Sequence, residues 1–183
     1  MTLMRAPFMT PSMTIAPLST IAPDAIEALL DRAFGPGRRA KTAYRVREGL
    51  ATIPELSFAM LDEAGAFVAG IQCWPVALAC DDGRRVAMVM VGPIAVEPTI
   101  QGGGLGQRIT RHALAAADAG NGEGWDKLML VGDPEYYARF FGFSAERTGR
   151  WRLPGPWEPR RLLARGPVPD CAGMIEPRLP VVV

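Results

Sequence analysis

Four glycines within five residues, Gly102, Gly103, Gly104 and Gly106, form the stretch of this chain best suited to chemistry. They stand between Gln101 and Gln107, after an apolar stretch ending at Val96 that is broken at Gly92-Pro93 and Glu97-Pro98. Without Cβ atoms, consecutive backbone N–H groups can converge on the oxygens of an anion. From Gly104 onward the pattern turns helical, with Ile109, Ala113 and Leu114 on one face. The first amides of such a helix are unpaired and add about half a positive charge at that end. A phosphate or diphosphate fits this arrangement. Two phosphate loops are excluded. A P-loop requires Lys then Ser or Thr after its last glycine, where Gln107-Arg108 stand, and a G-x-G-x-x-G run begun at Gly102 meets Gln107 in place of its third glycine. A bare glycine run is also compatible with a plain strand-to-helix connection, so its surroundings decide.

Those surroundings read as a mixed α/β pattern. A short strand over 14–18 precedes a helix over 23–34, whose apolar positions are Ile26, Leu29, Leu30 and Ala33 and which Gly35-Pro36-Gly37 stops. A short basic helix over 41–50 follows. Strands over 56–61, 67–79 and 85–96 are joined by the turns Asp62-Glu63-Ala64-Gly65 and Asp81-Asp82-Gly83, which makes them successive antiparallel neighbours. The last, rich in Val and Met, reads as buried on both faces. A helix over 104–119 then crosses to a strand over 126–132, which should lie parallel to 85–96 in a right-handed crossover. Residues 134–141 give one or two helical turns, and 144–153 extended structure. The Pro-rich segment 154–183 cannot be one long helix, and Leu162-Leu163-Ala164 is its best strand. The reading is a single domain over 1–183, with 1–11 a loose lead-in and 154–183 packed on the domain.

Composition narrows the function. With 20 basic and 19 acidic side chains the net charge is +1, which argues against nucleic acid as a partner. Cys73, Cys80 and Cys171 are scattered, lack a C-x-x-C spacing and share the chain with a single His, so neither a metal site nor a disulfide framework is expected. A reducing, cytoplasmic setting fits that cysteine usage. No apolar run is long enough to span a bilayer, and no membrane role is expected.

Gln101-Gly102-Gly103-Gly104-Leu105-Gly106, directly after Gly92-Pro93-Ile94-Ala95-Val96, resembles the Q/R-x-x-G-x-G/A acetyl-CoA motif of the GNAT N-acetyltransferase superfamily. Further on, Leu130 to Phe143, with Tyr136-Tyr137 and Gly142-Phe143, is similar to the strand, Tyr-bearing helix and Gly-Phe segment of its predicted small-molecule branch. The specific resemblance covers about residues 86 to 145. It implies a central, mostly antiparallel sheet with one parallel, splayed pair of strands and flanking helices. It also implies acetyl-CoA as cosubstrate and an amine of a small molecule or protein as acceptor, attacked in a ternary complex without a metal. The backbone of Ile94, Ala95 and Val96 would meet the pantetheine arm. Residues Gln101 to Gln107, namely Gln101, Gly102, Gly103, Gly104, Leu105, Gly106 and Gln107, would hold the diphosphate. A homodimer through the late strands is a habit of the family. A catalytically weak CoA-binding module is the alternative.

In the family a Tyr on the short helix often protonates the departing thiolate. Tyr137 is preferred here over Tyr136, although the family's usual spacing falls on Ala138. A lysine-like amine is about one part in a thousand neutral at pH 7, so a route for its proton is needed. Glu97 and Asp133 are the carboxylates that could take it. Glu97 could equally be a solvated loop residue, and Asp133 an N-cap for the helix opening at Pro134. Tyr44, Arg45 and Arg47 either border the acceptor entrance or form a solvated helix face.

Overall fold

The computed structural model describes residues 12–179; the expected lead-in over 1–11 lies outside them. The elements in chain order are β1 (Thr14–Pro17), α1 (Pro23–Phe34), α2 (Thr42–Val46), β2 (Phe58–Leu61), β3 (Phe67–Cys80) and β4 (Arg85–Val96). They continue with α3 (Leu105–Ala119), β5 (Leu128–Val131), α4 (Pro134–Phe141), β6 (Trp151–Arg152), β7 (Leu162–Arg165) and β8 (Gly173–Pro177). The sheet runs β1-β2-β3-β4-β5-β7, with β8 on the far half of β3 and β6 on β8. Pairing is antiparallel except for β4 with β5 and β6 with β8.

Alternation along the strands assigns the two faces. Val89, Val91, Leu128 and Leu130 join one core with Ile109, Ala113, Leu114 and Ala117 of α3. Met88, Met90 and Met129 point the other way, into a core closed by Val46, Trp151, Leu162 and Ile175. β4 is thus buried on both faces, as its composition suggests. Between Val91 and Ile94 the phase changes. Two residues, Gly92 and Pro93, oppose the single Gln72 of β3, a β-bulge. Beyond it the even positions Ile94 and Val96 face α3, whereas Ala95 packs under Leu29 and Leu30 of α1.

Helix bounds follow local chemistry. Pro23 opens α1 and Gly35, at φ 80°, closes it. Asp133 caps α4 by accepting the Tyr136 N–H at 2.7 Å, and Gly142, left-handed at φ 71°, ends it. The second helix is shorter than its composition suggests. α2 stops at Val46, and the chain turns through Gly49 at φ 73°. β2 starts two residues late because Pro54–Leu56 is a 3₁₀ turn. The span 144–153 is mostly turn, with only Trp151–Arg152 as strand, while the Pro-rich tail supplies β8, which the sequence did not announce.

The cysteine expectation is corrected. Cys80, at the end of β3, and Cys171, just before β8, form a disulfide with Cα atoms 6.0 Å apart. The β3–β8 register, which sets Cys80 opposite Gly173, brings together two thiols 91 residues apart. With two of its three cysteines paired, the chain's cysteine usage no longer points to a reducing compartment. Cys73 is free and buried, and burial pushes its thiol up to about 12. No helix among the described residues is long and apolar enough to cross a membrane.

Candidate active site

β4 and β5 pair only at Val89 with Leu128 and at Met90 with Met129. Past Met90 the bulge carries β4 away from β5, and a gap opens between them. Glu97 N donates to Val68 O of β3. By the period of two, Ala95 also turns its backbone groups toward β3, whereas those of Ile94 and Val96 face the gap. The Val96 carbonyl accepts from Gln101 Nε2 at 3.3 Å.

At the wide end of this gap lies the glycine turn. Gly102 (φ 95°) and Gly104 (φ 73°) adopt conformations that L side chains rarely take, and a Cβ on either would meet open space. Gly104 is the N-cap of α3, so the first amides of that helix open on the same space. A cavity of about 400 Å³ is lined there by Ile94, Val96, Gln101, Gly102, Gly104 and Leu105, and further by Gly106, Gln107, Thr110, Tyr136 and Tyr137. Ten of the twelve residues singled out for cofactor and thiolate in the sequence, counting both tyrosines, therefore come together. Ala95 and Gly103 are not in its wall. Thr110 Oγ1 is turned inward to Gly106 O at 2.6 Å.

A second cavity, of about 280 Å³, opens on the other side of the gap. Gly92, Pro93, Ile94, Gly132 and Asp133 form its strand side, and Arg38, Lys41, Tyr44 and Arg47 its helical side. Tyr137, Ile94 and Phe34 line both cavities. The Tyr137 ring lies against Gly132, where a Cβ would come within 2.3 Å of its Cε2, and packs on Phe141 and Phe143. Burial, with a smaller push from neighbouring Tyr136, raises the Tyr137 hydroxyl to about 12. It is therefore a protonated donor throughout the physiological range. Tyr136 lines the first cavity alone and leans on Phe140.

The carboxylates separate. Glu97 is engaged by Arg32 of α1, with Nη2 to Oε2 at 2.9 Å, and lines neither cavity. Asp133 lines the second one while capping α4. His112 is exposed on α3, edge-on to Phe58 and away from both cavities. Trp151 belongs to the core. Among the described residues no cluster of three His, Cys, Asp or Glu side chains is placed to hold a metal. Arg38, Lys41 and Arg161 were not singled out from the sequence. Arg161 reaches the site from the Pro-rich tail through the β5–β7 register, which leaves no local signal.

No family model and no curated protein matches the chain. Solved structures do. A GNAT family N-acetyltransferase (YhbS) from Escherichia coli in complex with CoA is 23% identical, with a TM-score of 0.66 over 96% of this chain and 93% of that one. A GNAT family acetyltransferase from Brucella melitensis in complex with acetyl-CoA is 24% identical, with a TM-score of 0.57 over 91% of this chain and 96% of that one. A GCN5-related N-acetyltransferase from Kribbella flavida is 20% identical, with a TM-score of 0.52 over 74% of this chain and 33% of that one. With its parallel β4–β5 pair parting beside a glycine turn, the chain has the fold of the GNAT N-acetyltransferases.

Proposed function

We propose that this chain is an acetyl-CoA-dependent N-acetyltransferase that moves the acetyl group directly to an amine while both substrates are bound. One observation carries the reading: Tyr137 is shared by two cavities on opposite sides of a strand gap, one of them walled by the glycine turn. Acetyl-CoA would lie in the first cavity. Its diphosphate would rest on the amides of Gly102, Gly104, Leu105 and Gly106 at the start of α3, where geometry and helix dipole both favour negative charge. Its pantetheine amides would pair with the gap-facing groups of Ile94 and Val96.

The acceptor amine would enter from the second cavity and attack the thioester carbonyl. Its nitrogen bonds to the acetyl carbon, the carbon–sulfur bond breaks, and the leaving thiolate takes up the second proton that the nitrogen sheds as it becomes an amide. Tyr137 O–H donates to that sulfur. Asp133, the carboxylate in the second cavity, takes the ammonium proton directly or through water; Glu97, tied to Arg32, instead anchors α1 beside the end of β4. Holding two reactants in register supplies up to about 7–11 kcal/mol, more than the about 3–5 kcal/mol from one acid or base, so modest proton relays suffice.

The test is free-thiol release from acetyl-CoA across an amine panel, alongside titration calorimetry of acetyl-CoA. Amine-dependent thiol release supports the reading. Tight acetyl-CoA binding with no release for any amine class would leave a cofactor-binding module instead, and absence of binding would remove both.

A further inference from the structure

The second cavity has the wrong charge for a simple cationic amine. Four basic side chains, Arg38, Lys41, Arg47 and Arg161, line it against one carboxylate, Asp133. Arg38 is already neutralised: its Nε meets Asp31 Oδ1 at 2.7 Å and its Nη2 meets Glu27 Oε2 at 2.5 Å. Arg161 lies 3.8 Å from Glu158. Arg47 differs from both. The residue is 7% exposed, yet among the described residues it has no ion-pair partner, the carboxylates of Glu27, Asp31 and Glu158 being paired with Arg38, Arg39 and Arg161. Glu27 and Glu48 border the neighbouring cavity of about 530 Å³ that Arg47 also touches, but neither is bonded to it. Glu27 is occupied by Arg38 and Arg39. Two aromatic rings hold the guanidinium, with Cζ 3.7 Å from the Tyr44 ring centroid and 5.1 Å from that of Trp74.

A charge this deeply buried without a counter-ion is costly, and burial, opposed by the neighbouring Tyr44, lowers the Arg47 pKa. A planar fork fixed by stacking is a preformed receptor for an oxyanion. We propose that the acceptor is an amine that also carries an oxyanion, carboxylate or phosphate, and that Arg47 holds this group while the amine points to Tyr137. The inference rests on the acetyltransferase reading for the direction of the amine, but not for the anion contact itself. Lys41, exposed and with its Nζ 5.9 Å from the Phe34 ring centroid, adds attraction at the mouth of the cavity.

Matched amines with and without the oxyanion test it: phenylalanine against phenethylamine for a carboxylate, phosphoethanolamine against ethanolamine for a phosphate, and putrescine as a dication. Binding of each to the CoA-saturated protein is measured by calorimetry, and turnover by thiol release. At least one oxyanion-bearing amine should bind about tenfold or more tightly than its match without the oxyanion, the range of charge-assisted hydrogen bonding, and Arg47→Met should shrink that ratio below about threefold. If a thermal melt shows Arg47→Met unfolded, Arg47→Lys, which keeps the charge but not the fork, should still reduce the ratio. Equal binding within both pairs, or a preference for putrescine, overturns the inference. A preference that survives loss of the guanidinium overturns the role of Arg47. Oxyanion-dependent binding with no thiol release supports the anion site and refutes the transferase reading. Thiol release only with amines that lack an oxyanion does the reverse.

Discussion

Replacing Tyr137 by Phe removes one oxygen and leaves the ring in place, because its contacts with Gly132, Phe141 and Phe143 do not involve the hydroxyl. The magnitude follows from what the hydroxyl meets. A hydroxyl at about 12 facing a thiol of about 8.5 would lose roughly 5 kcal/mol by transferring its proton outright. Donation of a hydrogen bond to the developing thiolate is the better role. Such a bond to a charged group is worth about 1.5–3 kcal/mol, a loss of about 10- to 150-fold in kcat. The pH dependence has a definite sign. Burial raises this group above the usual Tyr value, so its contribution is complete below about pH 10 and fades only as pH rises toward 12. The wild-type profile should therefore show no alkaline fall from this residue up to about pH 10. The assay pairs thiol-release kinetics with calorimetric acetyl-CoA affinity, which should stay within about twofold since the diphosphate contacts are elsewhere. Wild-type kcat in Tyr137→Phe would refute the reasoning. A loss confined to Tyr136→Phe would transfer the role to its neighbour, which lines only the first cavity.

Three further outcomes are expected. Gly104→Glu should weaken acetyl-CoA at least about tenfold by calorimetry, whereas Gly104→Ala, with the same left-handed strain of about 1–2 kcal/mol but no added charge, should weaken it less. Asp133→Asn keeps an acceptor for the Tyr136 N–H, so α4 should stay capped while kcat/KM at neutral pH falls by about 10²-fold; the deficit should narrow as pH approaches the pKa of the amine. Gly132→Ala would press a methyl into the Tyr137 ring, and should lower both kcat and thermal stability, the latter by about 1–3 kcal/mol, as read by a melt.

Elements whose ends are written in local chemistry were legible from the sequence. α1 has Pro at its start and Gly at its close, and α4 has Asp133, Pro134 and Gly142; both have the bounds that pattern alone indicates. The glycine turn was legible for the same reason, since left-handed residues and a helix start announce themselves. What stayed hidden depends on distant register. Cys80 and Cys171 meet only once β8 is laid along β3, and Arg161 enters the second cavity only once β7 is laid along β5. For Arg47 the sequence leaves the acceptor entrance and a solvated helix face both open. Arg47 is buried because α2 ends early and turns it toward Tyr44 and Trp74.

The surplus residue at Gly92–Pro93 makes chain length itself a determinant of the site. Deleting one residue there would restore strict alternation along the end of β4. Ile94, which lines both cavities, and Val96, which lines the first, would then swing under α1, and the small Ala95 would face the gap instead. Every side chain would survive such a deletion except at most one, yet the partition between the two cavities would be turned inside out.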